Sequence, residues 1–106
     1  MTQQVTYDFR GQVAIVTGGT RGLGLVVAER LALAGCMVAV CGRNAPSYLP
    51  AGIAFYQADV RDAEQAKAFV DNVAQKFGRV DILVNNAGGG QLLRLKAPVR
   101  GSLMLS

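Results

Sequence analysis

Hydrophobic positions in this chain follow two alternating rhythms, short unbroken runs and longer stretches at helical spacing. Gln12-Val-Ala-Ile-Val-Thr17 is almost continuously apolar and rich in β-branched residues, the pattern of a strand covered on both faces. The turn-forming stretch Gly18-Gly19-Thr20-Arg21-Gly22-Leu23-Gly24 ends it. Helical character follows over Leu25–Ala34, where Leu23, Val27, Leu31 and Ala34 recur at steps of four, four and three, predicting one stripe packed on a sheet. Gly35 stands where a left-handed residue stops a helix.

Met37-Val-Ala-Val-Cys41 predicts a second buried strand, and Ile53-Ala-Phe-Tyr-Gln57 a third. Between them Pro46 and Pro50 leave a segment too short and broken for a proper helix. Asp62, with Gln65 three residues on, is a capping-box variant at a helix start. Behind it Ala66, Phe69, Val70, Val73, Ala74 and Phe77 hold the cleanest helical period in the chain. Burying the four large side chains of that stripe contributes about 6–12 kcal/mol as an upper bound. Gly78 ends the helix and Val80-Asp-Ile-Leu-Val84 is a fourth strand. Strands alternating with crossovers predict a doubly wound parallel α/β sheet in the order 3-2-1-4, with a ligand cleft where the order reverses, between strands 1 and 4.

Composition narrows the chemistry. With 106 residues and 51% hydrophobic content the chain fits one domain. It has no His, which removes His-based general bases, His metal ligation and His-assisted nucleophiles. Cys36 and Cys41 match no common ligand spacing and read as reduced, buried thiols; no metal site is expected. The net charge of +4 divides into +1 over residues 1–88 and +3 in the tail, from Arg94, Lys96 and Arg100. Without aromatic interleaving this is solvated charge and not a nucleic-acid platform. Neither a secretory signal nor a membrane-length apolar run is visible, so the expectation is a cytoplasmic protein without membrane contact.

The glycine-rich loop lies at the expected cleft. Gly18 permits the tight turn, Gly22 lets a pyrophosphate approach the backbone, and Gly24 lets the helix press on the strand, with the helix N-terminus facing the phosphates. Thr17-Gly18-Gly19-Thr20-Arg21-Gly22-Leu23-Gly24 resembles the T-G-x-x-x-G-x-G fingerprint of the short-chain dehydrogenase/reductase family. Asp59-Val60 stands where that family contacts the adenine ring, and Asn85-Asn86-Ala87-Gly88 resembles its N-N-A-G motif beside the cofactor. The resemblance covers residues 11–88 and implies a partial Rossmann-type fold with Gly18, Thr20, Arg21, Gly22, Leu23, Gly24, Arg43, Asp59, Val60, Asn86, Ala87 and Gly88 at the cofactor. The alternative for Asp59 is an ordinary helix-entry acid, and the side chains of Asn85 and Asn86 read as structural.

An NAD-type site wants an acid at the end of strand 2. Here Gly42-Arg43 stands there, and Arg21 adds a second guanidinium, so NADP(H) is preferred and NAD(H) remains open. The bland reading of Arg43 is a side chain snorkelling to solvent. The resemblance implies an oxidoreductase interconverting an alcohol and a carbonyl compound, assisted by a Tyr-x-x-x-Lys pair. The positions four after Tyr7, Tyr48 and Tyr56 are Gly11, Gly52 and Val60, so the chain carries no catalytic pair and is expected to be inactive alone. The alternative is a non-catalytic nucleotide-binding or regulatory module. A methyltransferase-like domain would need an acid where Arg43 stands. Residues 89–106 form an atypical tail in which Pro98 and Gly101 forbid a long helix; the expectation is a truncated domain whose strand 4 is an exposed edge bordered by Val80, Ile82 and Val84, prone to self-association.

Overall fold

The computed structural model describes residues 9–86, together with 99–104 as a strand. The elements run β1 (Val13–Thr17), α1 (Gly22–Leu33), β2 (Met37–Gly42), β3 (Ile53–Gln57), α2 (Ala63–Phe77), β4 (Val80–Asn85) and β5 (Val99–Met104). All pairings are parallel and the order is β3-β2-β1-β4-β5. The expected 3-2-1-4 arrangement is present, and no helix interrupts the β2–β3 connection.

Period-two alternation sorts β1 between two cores. Val13 and Ile15 join Phe69, Val70 and Val73 of α2 on one face, while Ala14 and Val16 join Ala28 of α1 on the other. Both faces of β1 are therefore dry, which is why its sequence shows no polar alternation. Cys41 belongs to the first cluster and Cys36 to the second, and both thiols are free.

The helix ends follow their local chemistry. Asp62 caps α2 by accepting from the N–H groups of Glu64 and Gln65. Gly78 (φ +78°) closes α2 and Gly35 (φ +106°) follows α1 in the left-handed region. The predicted α1 stripe is out of phase in its first turn. Leu23 is 55% exposed, whereas Gly24 and Ala28 are buried and Val27 and Leu31 pack against the sheet.

The expected exposed edge on β4 is corrected by β5. Val80 pairs with Val99, Val84 with Leu103 and Asn85 with Met104, so β4 is an interior strand and the outer strands are β3 and β5. A parallel neighbour needs a crossover of about a dozen residues, and the interval between Asn85 and Val99 supplies that length.

Two polar groups in this apolar frame differ in how they are satisfied. Asp81 is buried and accepts from the Val13 N–H at 2.8 Å and from Arg79 through Nε at 2.7 Å and Nη2 at 2.6 Å. It thereby ties the start of β1 to the start of β4. Tyr56 packs its ring on Phe69, with centroids 5.5 Å apart, yet its buried hydroxyl finds no hydrogen-bond partner among the described residues. Removing an unsatisfied buried hydroxyl relieves a desolvation cost. Tyr56→Phe is expected to leave stability unchanged or raise it by up to about 1 kcal/mol in urea unfolding; a clear loss would show that the hydroxyl has a partner.

Candidate functional site: a crevice at the ends of four strands

The C-terminal ends of β1 to β4 open into one cavity of about 860 Å³. Its position spans the point where the strand order reverses, since β1 has β2 on one side and β4 on the other. Residues 68 and 69 apart in sequence meet where β1 and β4 end. The Thr17 hydroxyl accepts from the Asn86 N–H at 2.9 Å and donates to Asn85 Oδ1 at 3.1 Å. Asn86 Nδ2 donates to the Gly18 carbonyl at 3.4 Å. The ends of β1 and β4 are thus fastened by side chains as well as by the ladder.

The glycine loop is built on this knot. A Cβ placed on Gly24 would sit 2.3 Å from the Gly18 carbonyl oxygen and 2.4 Å from Asn86 Nδ2, so only glycine lets the first turn of α1 lie on the loop. Gly22, at φ +59°, has open space where its Cβ would be, leaving its backbone approachable from the cavity. The start of α1 also lacks the closure given to α2. Its N-cap, Arg21, makes no side-chain capping bond, and no acid stands in its first turn. A helix start without a carboxylate or hydroxyl cap, bordering a cavity, is suited to an anion.

Charge at the cavity is carried by four side chains. Arg21 comes from the glycine loop, Arg43 from the exit of β2, and Asp59 and Arg61 from beyond β3. Arg61 grips Asp59 from two sides: Nε lies 3.0 Å from Oδ1 and Nη2 lies 2.8 Å from Oδ2, and the Arg61 N–H adds a bond of 3.0 Å to Oδ1. These hydrogen bonds, with the guanidinium charges of Arg61 and Arg43, lower the Asp59 carboxyl to about 2. The Asp59 N–H is in turn held by Gln65 Oε1 at 2.8 Å, so Gln65 braces this loop as well as the helix cap. No carboxylate among the described residues pairs with Arg21 or Arg43. Burial pushes the Cys41 thiol, also on the cavity wall, up to about 11, so it is protonated at neutral pH and is a wall rather than a nucleophile.

Of the residues singled out from the sequence, Gly18, Thr20, Arg21, Gly22 and Leu23 line the cavity on one side. Arg43, Asp59, Val60 and Asn86 line it on the others. Gly24 lies buried beneath the loop, and Ala87 and Gly88 fall outside the described residues. The sequence reading passed over Asn44, Pro46, Ala58 and Arg61, which also face the space. Arg61 was findable: an Asp two residues before an Arg can form an Asx-turn that brings the guanidinium onto the carboxylate.

Two outcomes test this geometry. Thr17→Val removes the acceptor of the Asn86 N–H and is expected to cost about 1–3 kcal/mol in urea unfolding. Because the folded-state pKa of Asp59 lies below its usual 3.8, its contribution is complete above about pH 4 and is lost as pH falls through about 2. The stability gap between the natural chain and Asp59→Asn should therefore close over that window in acid unfolding.

Comparison with known proteins agrees with this architecture. A family model for short chain dehydrogenases matches residues 12–99. The dehydrogenase/reductase SDR family member 4 of Caenorhabditis elegans is 44% identical over 93 residues, covering 76% of this chain and 35% of the relative. A 2-dehydro-3-deoxy-D-gluconate 5-dehydrogenase of Formosa agariphila is 34% identical over 92 residues, covering 77% of this chain and 35% of that protein. The chain thus spans about a third of the length of these curated relatives. The crystal structure of a short chain dehydrogenase from Burkholderia cenocepacia in complex with NADP superimposes with a TM-score of 0.70 at 38% identity, covering 78% of this chain and 38% of that one. With the glycine loop, the reversal of strand order and the matched residues in agreement, this chain belongs to the short chain dehydrogenase family.

Proposed function

We propose that the 106 residues form the dinucleotide-binding part of an oxidoreductase that interconverts an alcohol and a carbonyl compound, and that they favour NADP(H) over NAD(H). The observation that carries the cofactor preference is Arg43 at the exit of β2, facing the cavity in the place where an NAD-type site wants a carboxylate. Arg21 lines the same cavity, and two guanidinium groups suit a phosphate monoester. The NADP carried by the Burkholderia cenocepacia relative supports the same reading.

The residues divide the binding work. The N–H groups at the start of α1 receive the pyrophosphate, and the open backbone at Gly22 lets it come close. Arg21 and Arg43 hold the 2′-phosphate, while Val60 gives the adenine an apolar contact. Thr17, through Asn85 and Asn86, fixes the distance between the two halves of the crevice. A bound nicotinamide supplies the hydride. The protein's share of catalysis requires a proton donor, and no Tyr in these 106 residues is followed four positions later by Lys. The polypeptide therefore binds nucleotide but does not turn over substrate.

Isothermal titration of the 106-residue chain is expected to show NADPH binding more tightly than NADH by about tenfold or more. Arg43→Asp should abolish or reverse that preference. The advantage of NADPH should shrink below about pH 6, where a phosphate monoester loses its second charge. Equal affinities, or no heat with either nucleotide, would refute the cofactor reading; steady carbonyl reduction by this polypeptide would refute its silence.

A further inference from the structure

The exit of β2 carries an inference that deepens, and rests on, the dinucleotide reading. Nucleotide preference turns on Arg43, yet no carboxylate among the described residues holds its guanidinium. Its direction into the cavity is therefore set by its backbone, and that backbone lies one residue past the end of a strand. The pairing of β2 with β3 reaches Gly42, opposite Gln57, and the Ala58 N–H donates to the Gly42 carbonyl at 3.0 Å. Beyond it runs a short link containing Pro46 and Pro50, whose nitrogens cannot donate. The next carbonyl, that of Arg43, accepts from a side chain instead, Gln57 Nε2 at 3.1 Å. Among the described residues this is the only hydrogen bond made by residues 43–51. We propose that Gln57 is a positioning residue for nucleotide preference: by taking the Arg43 carbonyl it extends the order of the sheet one residue further and holds the Arg43 guanidinium where it meets the 2′-phosphate.

Two features of the site fit this role. Strand alternation puts Ile53, Phe55 and Gln57 on one face of β3; the first two pack in the core beneath α1, whereas Gln57 is exposed. Its amide supplies a donor at the crevice end of the sheet and little packing. Gly42 itself lies against the glycine loop, where a Cβ would sit 3.4 Å from Thr20 Cγ2 and Oγ1. Arg21 follows Thr20 and Arg43 follows Gly42, so one contact seats the backbones of both cations and the Gln57 bond fixes the second of them just beyond it. Without that bond Arg43 would start from a looser backbone and give up more conformational freedom to grip a phosphate.

The test is isothermal titration with NADPH and NADH on the natural chain, Gln57→Met, Gln57→Ala, Arg43→Ala and the double variant Gln57→Met/Arg43→Ala, each checked for folding by circular dichroism. Gln57→Met keeps the length of the side chain and removes the donor. It should weaken NADPH about three- to tenfold, the worth of one neutral hydrogen bond, and leave NADH within about twofold; Gln57→Ala should do the same. In the Arg43→Ala background the second substitution should change NADPH affinity by less than about twofold, because no guanidinium is left to place. A merely structural Gln57 would weaken both nucleotides alike and would act equally with and without Arg43. Either of those results, or Gln57 variants that bind as the natural chain does, overturns the proposal and leaves the dinucleotide reading standing. A natural chain without preference for NADPH removes both.

Discussion

The structure depends on one fastening, the contact between the ends of β1 and β4 through the Thr17 hydroxyl. Parallel strands distant in sequence are joined only by ladder hydrogen bonds and by whatever packs on their faces. At their C-terminal ends the faces give way to solvent, and the ladder is free to fray. Thr17 closes that end by serving as acceptor for the Asn86 N–H and donor to the Asn85 side chain. Asn86 then reaches the Gly18 carbonyl, and Gly24 lies against both. The glycine loop, the start of α1 and the floor of the crevice are thus positioned by one small hydroxyl, and a hydroxyl buried this deeply is worth keeping only when its hydrogen bonds are made.

At the opposite end of the same two strands, Asp81 does comparable work by different means. Its carboxylate takes the Val13 N–H and the Arg79 guanidinium. β1 and β4 are therefore pinned at both termini, at one by a charge and at the other by neutral groups. The neutral pin is on the side of the cavity, where a fixed carboxylate would oppose a phosphate; the charged one is at the far end. The division places the negative charge of the β1–β4 seam away from the anion-accepting helix start.

Much of this was legible in the sequence because the relevant physics is local. The α2 stripe from Ala66 to Phe77, the Asp62 cap and the left-handed Gly35 and Gly78 each declare themselves within one or two helical turns. The unalternating apolar runs of β1 and β2 announced a sheet covered on both faces, and the glycine loop following such a run located the crevice. What escaped was set by tertiary context. Val99–Met104 has no strong period in its sequence, and its place beside β4 is set by backbone pairing between distant segments. Leu23 has the spacing of a core residue, yet it stands exposed at the cavity's edge instead of in the core. Arg61 is different, since its contact with Asp59 is local and lies two residues away in sequence.

The place of β1 in the sheet has a kinetic consequence. It is the first strand in sequence and lies at the centre, and its two neighbours come from unequal distances: Val13 pairs with Met37, but Ala14 pairs with Ile82. Loop-closure entropy grows only slowly with length, so the longer connection costs about 1 kcal/mol more. The larger effect is on timing. During synthesis β1, α1 and β2 can assemble as soon as they emerge, while the other flank of β1 waits for β4, which begins nearly forty residues beyond the end of β2, with its amide and carbonyl groups open to any extended chain nearby. Closure of the seam is thus a late, non-local event that sets the pace of folding.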